Sequence, residues 1–228
     1  MQHTWSLILS LVNNIPRDHN LVTSGQWLHR HPLNTYLSGQ TLGVVGLGKL
    51  GAGVARIGKL AFGMKIVAWS PNLTQAKADD AAKDAGLAVG DFIAVSKEEL
   101  FGTSDVVSLH MVLAESTTGI VGSAELGAMK KESFLINTSR GPLVGEAELL
   151  RVLEHGSIRG YAADVFDVEP LPLDSPWRRV KWGEDGRSEV VLTPHSGYAY
   201  ESQMRDMWEK TAANLGRLAR GEEVEWKL

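Results

Sequence analysis

Three polar residues in the second half of the sequence, Arg140, Glu169 and His195, have side chains that together suit acid–base chemistry on a small carboxylic acid. A guanidinium binds a carboxylate through two parallel hydrogen bonds, and an imidazole gives or takes a proton near neutral pH. A carboxylate beside that imidazole favours its charged form and fixes its tautomer. A hydride transfer to a carbonyl carbon needs a proton at the oxygen and a substrate that is held still, so the three side chains fit such a reaction.

Each of these residues follows a short apolar run that is typical of a β-strand. The runs are residues 133–137 before Arg140, residues 160–165 before Glu169 and residues 189–192 before His195. Ligands of parallel sheets bind beyond the carboxyl ends of the strands, so the spacing predicts a shared site. Taken singly, each residue has an ordinary alternative: a surface arginine, a loop glutamate or a histidine that caps a turn.

A glycine-rich turn in the first half of the chain has the G-x-G-x-x-G spacing of a dinucleotide-binding turn. It directly follows a predicted strand at residues 41–46 and opens a predicted helix at residues 49–62, which is the context that this motif requires. Free N–H groups and the helix dipole would hold a pyrophosphate there. The alternative is a packing turn, which this context disfavours. The predicted contacts are Gly46, Gly48, Lys49, Leu50 and Gly51.

The segment after the next predicted strand, residues 65–69, bears on the choice between NAD(H) and NADP(H). Such folds place the residue that reads the ribose about 20 positions after the glycines, and here a Ser-Pro-Asn turn occupies that place. Without an aspartate or glutamate in it, the turn does not repel a 2′-phosphate, so we predict NADP(H) over NAD(H). The candidate contacts are Ser70, Pro71, Asn72, Thr74 and Lys77.

The elements that would position these residues alternate between short β-branched runs and longer amphipathic patterns. This alternation predicts an α/β fold, a doubly wound parallel sheet with helices on both faces. The predicted strands are residues 41–46, 65–69, 87–89, 105–109, 133–137, 160–165 and 189–192, and the clearest helices are residues 49–62, 74–85 and 146–155.

Two further helical patterns flank the predicted sheet. Residues 5–12 have a broad apolar face, and residues 204–219 carry an apolar stripe at helical spacing. Such faces must be covered, and we expect a second domain, a second subunit or the other flanking helix to cover them. Residues 171–188 are rich in charge, proline and tryptophan, which predicts a long surface loop.

Composition excludes several other classes of protein. The 228 residues include no cysteine, which excludes disulfides and thiolate metal sites, and the net charge of −4 argues against a nucleic-acid partner. No apolar run approaches the roughly 20 residues that span a bilayer, so we predict a cytoplasmic protein without a membrane partner. A signal peptide at residues 5–12 is disfavoured, because basic residues and a cleavage site are missing. The pair His29 and His31 lacks a nearby acid, so no metal site is predicted.

Four stretches, in this order along the chain, carry a resemblance to a known family: the glycine turn, INTSRG, ADVFDVEPLP and LTPHSG. Together with VVSLHMVLAESTTGIV, they resemble the nucleotide-binding portion of the D-isomer-specific 2-hydroxyacid dehydrogenases, over residues 5–224. The stretch AWSPNLT is most similar to the glyoxylate and hydroxypyruvate reductases of that family. The resemblance implies a Rossmann-type domain and the NAD(P)-dependent reduction of a small 2-oxoacid.

The resemblance also implies roles for individual residues. Arg140 would bind the substrate carboxylate, and Glu169 and His195 would form the acid–base pair. Asp164 would lie near the nicotinamide carboxamide. Formate dehydrogenases of the same fold pair their histidine with glutamine, so Glu169 argues against that branch. The further cofactor contacts implied are His110, Thr117, Thr138, Ser139, Arg140, His195 and Gly197.

The sequence departs from the family pattern in three places. Gly145 stands where the family usually has aspartate or asparagine, and the loop before His195 is longer than the common form. Family members also begin with a substrate domain of about 100 residues, whereas this chain starts at the helix that leaves that domain. We expect a cofactor domain at residues 39–198, flanks at residues 1–38 and 199–228 that belong with the second domain, and a homodimer. The alternative is a dinucleotide-binding fragment or a cofactor-sensing module with little or no catalysis.

Overall fold

The structure, a computed structural model, describes residues 1–27 and 33–224. The chain divides into two compact units, Met1–Pro194 and His195–Leu228. None of the helices in the described residues combines the length and the apolar character that a membrane crossing needs. The pair His29 and His31 lies outside the described residues.

The first unit is built on a parallel sheet. Its strands are β1 (Thr41–Val45), β2 (Lys65–Trp69), β3 (Phe92–Ala94), β4 (Val106–Leu109), β5 (Phe134–Asn137), β6 (Gly160–Ala163) and β7 (Glu189–Leu192). Within the described residues they form one sheet in the order β3-β2-β1-β4-β5-β6-β7, and every neighbouring pair is parallel. The strand order reverses between β1 and β4, where such sheets bind their ligands. The predicted doubly wound α/β fold is therefore confirmed.

Helices lie between the strands and at both ends of the chain. In the first unit they are α1 (Gln2–Val12), α2 (Ile15–Thr23), α3 (Lys49–Phe62), α4 (Gln75–Asp84), α5 (Lys97–Thr103), α6 (Ser123–Ala128), α7 (Glu146–Glu154) and α8 (Pro176–Arg179). The second unit contains α9 (Glu201–Ala219), whose Met207, Trp208, Leu215 and Leu218 are exposed. The sequence predicted α3, α4, α7 and both flanking helices, whereas α2, α5, α6 and α8 were not predicted.

The strand predicted at residues 87–89 is wrong. That segment is a turn between Gly86 and Gly90, which have positive φ values of 74° and 84°. Residues in strands do not adopt this left-handed conformation. The edge strand β3 comes immediately after the turn and pairs with β2.

The segment predicted as a long surface loop, residues 171–188, is only partly on the surface. Trp177 in α8 is buried, and its ring lies 5.4 Å from that of Tyr161 and 5.8 Å from that of Trp182. The Trp177 indole N–H donates to Glu146 Oε1 at 2.6 Å. The tryptophans therefore attach this segment to the unit, and its charged residues remain at the surface.

Helix α1 packs on the sheet of its own unit, against β5, β6 and β7. Ile8 and Leu11 are fully buried in the core. Trp5 stacks on Phe62 with a ring separation of 4.6 Å. The sequence left open whether a domain, a subunit or the other flanking helix covers this apolar face, and the structure shows that the sheet and α3 cover it.

Replacing Trp5 with alanine should lower the free energy of unfolding by about 3–5 kcal/mol. The substitution opens a cavity in the core and removes the indole hydrogen bond to the Val54 carbonyl at 3.3 Å. Denaturant titration followed by circular dichroism measures the change. Ser6→Ala, on the exposed face of the same helix, is the matched control and should stay within about 0.5 kcal/mol of the wild type. Equal values for the two variants would contradict this packing.

Candidate active site

The register of the sheet places the residues that follow five strands side by side along one edge. The last residues of neighbouring strands are paired: Val45 with Leu109, Leu109 with Asn137, Asn137 with Ala163, and Ala163 with Leu192. The next residue of each strand therefore joins a row at the carboxyl edge. The row is Gly46, His110, Thr138, Asp164 and Thr193, and four of these were predicted site residues.

The glycine turn is too tight for side chains where it meets its neighbours. Gly46 has a φ of 95°, and a Cβ on it would lie 2.7 Å from the His110 carbonyl oxygen. A Cβ on Gly51 would meet the carbonyl oxygen of Gly46. Close backbone approach therefore requires glycine at both positions, and the positive φ adds a conformational requirement at Gly46.

The amino end of α3 faces outward from this turn. Gly48 caps the helix. A Cβ built on Gly48 would have no atom of the described residues within 4 Å. Lys49 and Leu50, in the first helical turn, are exposed. The first N–H groups of a helix have no partner inside the helix, so this open turn fits the pyrophosphate of a nicotinamide dinucleotide.

The Ser70–Asn72 turn holds a lysine beside the end of β2. Lys77 Nζ donates to the Asn72 carbonyl at 2.8 Å, and Pro71, Asn72 and Lys77 are all exposed. The Ser70 carbonyl accepts a hydrogen bond from the backbone of Leu73 at 3.1 Å, which closes the turn. The Lys77 ammonium group therefore lies at the turn where the sequence predicts the ribose of the cofactor.

His110 and Thr117 are both engaged by neighbouring protein groups. His110 Nε2 lies 2.9 Å from Ser108 Oγ, and desolvation by the surrounding protein lowers the pKa of His110 to about 4. The ring is therefore neutral at pH 7. The Thr117 hydroxyl accepts from the Ala114 N–H at 2.8 Å and donates to the Val112 carbonyl at 2.7 Å. The Thr117 hydroxyl therefore shapes its own turn.

Asn137, which the sequence did not single out as a site residue, shapes the turn after β5. This buried side chain donates to the Arg140 carbonyl at 2.9 Å and accepts from the Ser139 N–H at 3.1 Å. Ser139 Oγ donates to the Leu109 carbonyl at 2.9 Å, which ties the turn to β4. The signal in the sequence was an amide at the end of an otherwise apolar strand, where it must find partners.

The loops that carry Arg140 and Glu169 touch each other. A Cβ on Gly141 would meet the backbone of Phe166, so the two loops are in backbone contact. Glu169 Oε1 accepts from the Phe166 N–H at 2.8 Å, and the Arg140 guanidinium donates to the Ser139 carbonyl at 2.6 Å. Both charged side chains are exposed. The structure therefore presents a cation and an anion on adjacent loops at the carboxyl edge of the sheet.

Asp167 lies two residues before Glu169 in the second loop. Burial, and then the nearby Glu146 carboxylate, raise the pKa of Asp167 above its usual value. The neutral form of Asp167 is therefore favoured more than that of an aspartate surrounded by water.

His195 is the first residue of the second unit. It has a left-handed φ of 54°, which is uncommon for a residue other than glycine, and its ring lies 6.1 Å from that of Tyr198. Gly197 belongs to the same loop and is half-buried. Of the predicted catalytic residues, Arg140 and Glu169 thus belong to the first unit and His195 to the second.

Asp164 is 3% exposed, and a residue of α1 contacts its carboxylate. The sequence did not predict this contact. His3 Nε2 lies 3.1 Å from Asp164 Oδ1, and the Thr193 hydroxyl donates to the same oxygen at 2.5 Å. The hydroxyls of Thr4 and Thr138 lie 3.0 Å apart. The signal in the sequence was a pair of polar residues at the start of an otherwise apolar helix.

Known proteins resemble this chain over nearly its whole length. The family model described as D-isomer specific 2-hydroxyacid dehydrogenase, NAD binding domain, matches residues 5–197. A glyoxylate reductase of Aeropyrum pernix is 34% identical over 96% of this chain and 63% of its own length. A D-3-phosphoglycerate dehydrogenase of Methanocaldococcus jannaschii is 32% identical over 97% of this chain and 39% of its own length.

A solved structure with a bound dinucleotide is also similar. The D-lactate dehydrogenase of Aquifex aeolicus, complexed with NAD and lactic acid, matches with a TM-score of 0.78 and 28% sequence identity. The match covers 97% of this chain and 66% of the dehydrogenase chain. The chain thus spans about 63% of the length of the Aeropyrum pernix reductase and 66% of this dehydrogenase.

Replacing Gly51 with alanine should weaken the binding of a nicotinamide dinucleotide more than about tenfold, because overpacking of this kind costs about 1–3 kcal/mol. The new Cβ pushes the first turn of α3 away from Gly46. Titration of NADH or NADPH fluorescence gives the affinity. Gly127→Ala is the matched control, since this helical glycine has open space within the described structure. Unchanged affinity in Gly51→Ala would argue against this turn as the cofactor cradle.

Proposed function

Because the chain belongs to the D-isomer specific 2-hydroxyacid dehydrogenase family through its NAD-binding domain, we propose that it is an NAD(P)-dependent oxidoreductase that reduces a small 2-oxoacid. The observation that carries the proposal is the backbone contact between the loops of Arg140 and Glu169, at the same sheet edge as the glycine turn. The name of the Aeropyrum pernix relative supports glyoxylate or a similar acid, such as hydroxypyruvate, as the substrate.

In this proposal each side chain has one role. The exposed Arg140 guanidinium binds the substrate carboxylate through its planar fork. His195 donates a proton to the oxygen on C2, and Glu169 favours the charged imidazole. When bound, the reduced nicotinamide supplies the hydride that C2 receives. Asp164, Thr138 and Ser139 contact the cofactor at the carboxyl edge.

The wider organisation is also part of the proposal. Residues 39–198 form the cofactor domain, the flanks at residues 1–38 and 199–228 connect it to a substrate domain, and the protein works as a homodimer in the cytoplasm. The length of the relatives supports the second domain, since the chain matches 63% of the Aeropyrum pernix enzyme. The second candidate function is a dinucleotide-binding fragment or cofactor-sensing module with little or no catalysis, for which the open glycine turn is sufficient.

Turnover of the chain and of His195→Ala separates these candidates. With glyoxylate or hydroxypyruvate, the wild type should oxidise NADPH at 340 nm, and His195→Ala should lose about 10²–10⁴-fold in kcat, the contribution of a general acid. Cofactor affinity should stay within about twofold, because the general acid acts on the substrate oxygen. His155→Ala, an exposed histidine at the end of α7, is the matched control. Cofactor binding without turnover in the wild type supports the sensing module, and full turnover in His195→Ala refutes the assignment.

Preference for NADP(H) is proposed from the turn after β2. Lys77 is held at the Asn72 carbonyl, and Ser70 stands where a carboxylate would repel a 2′-phosphate. NADPH should therefore bind more tightly than NADH. Lys77→Ala should lower the affinity for NADPH by about three- to tenfold, since one exposed charge contact is lost, and should change the affinity for NADH little. Lys83→Ala, near the far end of the same helix, is the control. Equal or tighter binding of NADH by the wild type would contradict the preference.

A further inference from the structure

The first turn of α1 is bonded to residues that follow three neighbouring strands. Thr4 reaches Thr138 after β5 at 3.0 Å, and His3 reaches Asp164 after β6 at 3.1 Å. His3 also reaches Thr193 after β7 at 2.9 Å. The apolar part of α1 packs on the same three strands, so the helix is fixed in position while its amino end meets the carboxyl edge. No role in the proposed reaction accounts for these contacts.

Asp164 depends on these contacts because its carboxyl group is buried. A buried carboxylate is costly unless it is paired and hydrogen-bonded. His3 and the Thr193 hydroxyl both hold Oδ1, and two partners on one oxygen limit the rotation of the carboxyl group. The carboxylate also lies near the amino end of α1, where the helix dipole favours a negative charge.

The network assigns the proton on the His3 ring. Because the Thr193 hydroxyl donates to Asp164 at 2.5 Å, its oxygen is left to accept from His3 Nε2 at 2.9 Å. Nε2 must therefore carry a proton, which it shares between the hydroxyl and the carboxylate. A side chain that replaces His3 can preserve the contact only if it brings a donor to the place of Nε2.

We propose that His3 is a positioning residue for the cofactor: it holds the Asp164 carboxylate in the orientation in which Asp164 accepts a hydrogen bond from the nicotinamide carboxamide. The inference rests on the proposed function, in which Asp164 lies near that carboxamide. His3 itself touches only protein groups in this scheme and acts through Asp164. It follows that His3 should affect the binding of the nicotinamide half of the cofactor and leave the adenosine half unaffected.

Two polar substitutions of similar size test this role. Glutamine places its amide nitrogen near the position of Nε2, whereas the amide of asparagine ends near the position of Nδ1 and falls short of Asp164. His3→Asn should bind NADPH about tenfold more weakly than the wild type, and His3→Gln should stay within about threefold. Fluorescence titration of the full chain measures both affinities. Ser6→Ala, an exposed residue of the same helix, is the control.

A ligand without the nicotinamide separates positioning from general damage. Calorimetric titration with 2′-phospho-ADP-ribose should give the same affinity for the wild type, His3→Asn and His3→Gln within about twofold, because this ligand does not reach Asp164. In an Asp164→Asn background, His3→Asn should have no further effect on NADPH affinity. Thr193→Val, which removes the bridging hydroxyl, is the second variant if His3→Asn does not fold, and it should reproduce the selective loss of NADPH affinity.

The outcomes distinguish this inference from the function on which it rests. If His3→Asn binds NADPH as tightly as the wild type does, the positioning role is overturned and the proposed function stays intact. The same holds for Thr193→Val if that variant is used in place of His3→Asn. Equal weakening of NADPH and 2′-phospho-ADP-ribose would also overturn it, since α1 would then be merely structural. A wild-type chain that binds neither NADPH nor NADH would refute the proposed function itself.

Discussion

The parallel register of the strands is the constraint on which the carboxyl edge depends. All strands of the sheet run in the same direction, and the last residues of β1, β4, β5, β6 and β7 are paired with one another. The residue that follows each strand therefore falls on one line, although these residues are far apart in the sequence. A slip of one residue in β6 would turn Asp164 to the opposite face of the sheet and break the row.

Backbone contacts then fix the loops that continue from this edge. Gly46 lies against the backbone of His110, and Gly141 lies against that of Phe166. Contacts between main chains leave the side chains of the same loops free for other tasks. Arg140 is the clearest case, because its loop is held by Gly141 and Asn137 while its guanidinium is exposed. Rigid backbone with outward-facing charge is the arrangement that ligand recognition requires.

Sequence patterns predicted the elements whose structure is decided by neighbouring residues. They did not predict those that depend on the pairing of distant strands. The strand ends before Arg140 and Glu169 follow from apolar runs that stop at polar residues. Residues 87–89 and 92–94 are both short apolar runs, and only pairing with β2 selects the second as β3. Helix α5 is short, yet Ser96 caps it by accepting from the Glu99 N–H at 3.0 Å, so the Ser-x-x-Glu spacing was a usable signal. No pattern of neighbouring residues in the sequence indicates the contact of His3 with Asp164.

The bond between His3 and Thr193 joins positions that are 190 residues apart, and this separation has a consequence for how the molecule is made. A ribosome adds about 5–20 residues per second, so α1 emerges roughly 10–40 s before β7. During that interval the sheet that covers Ile8 and Leu11 is incomplete, and their apolar side chains are open to chaperones. The cofactor edge is therefore one of the last parts of the unit to be completed during synthesis, after the final strand has docked.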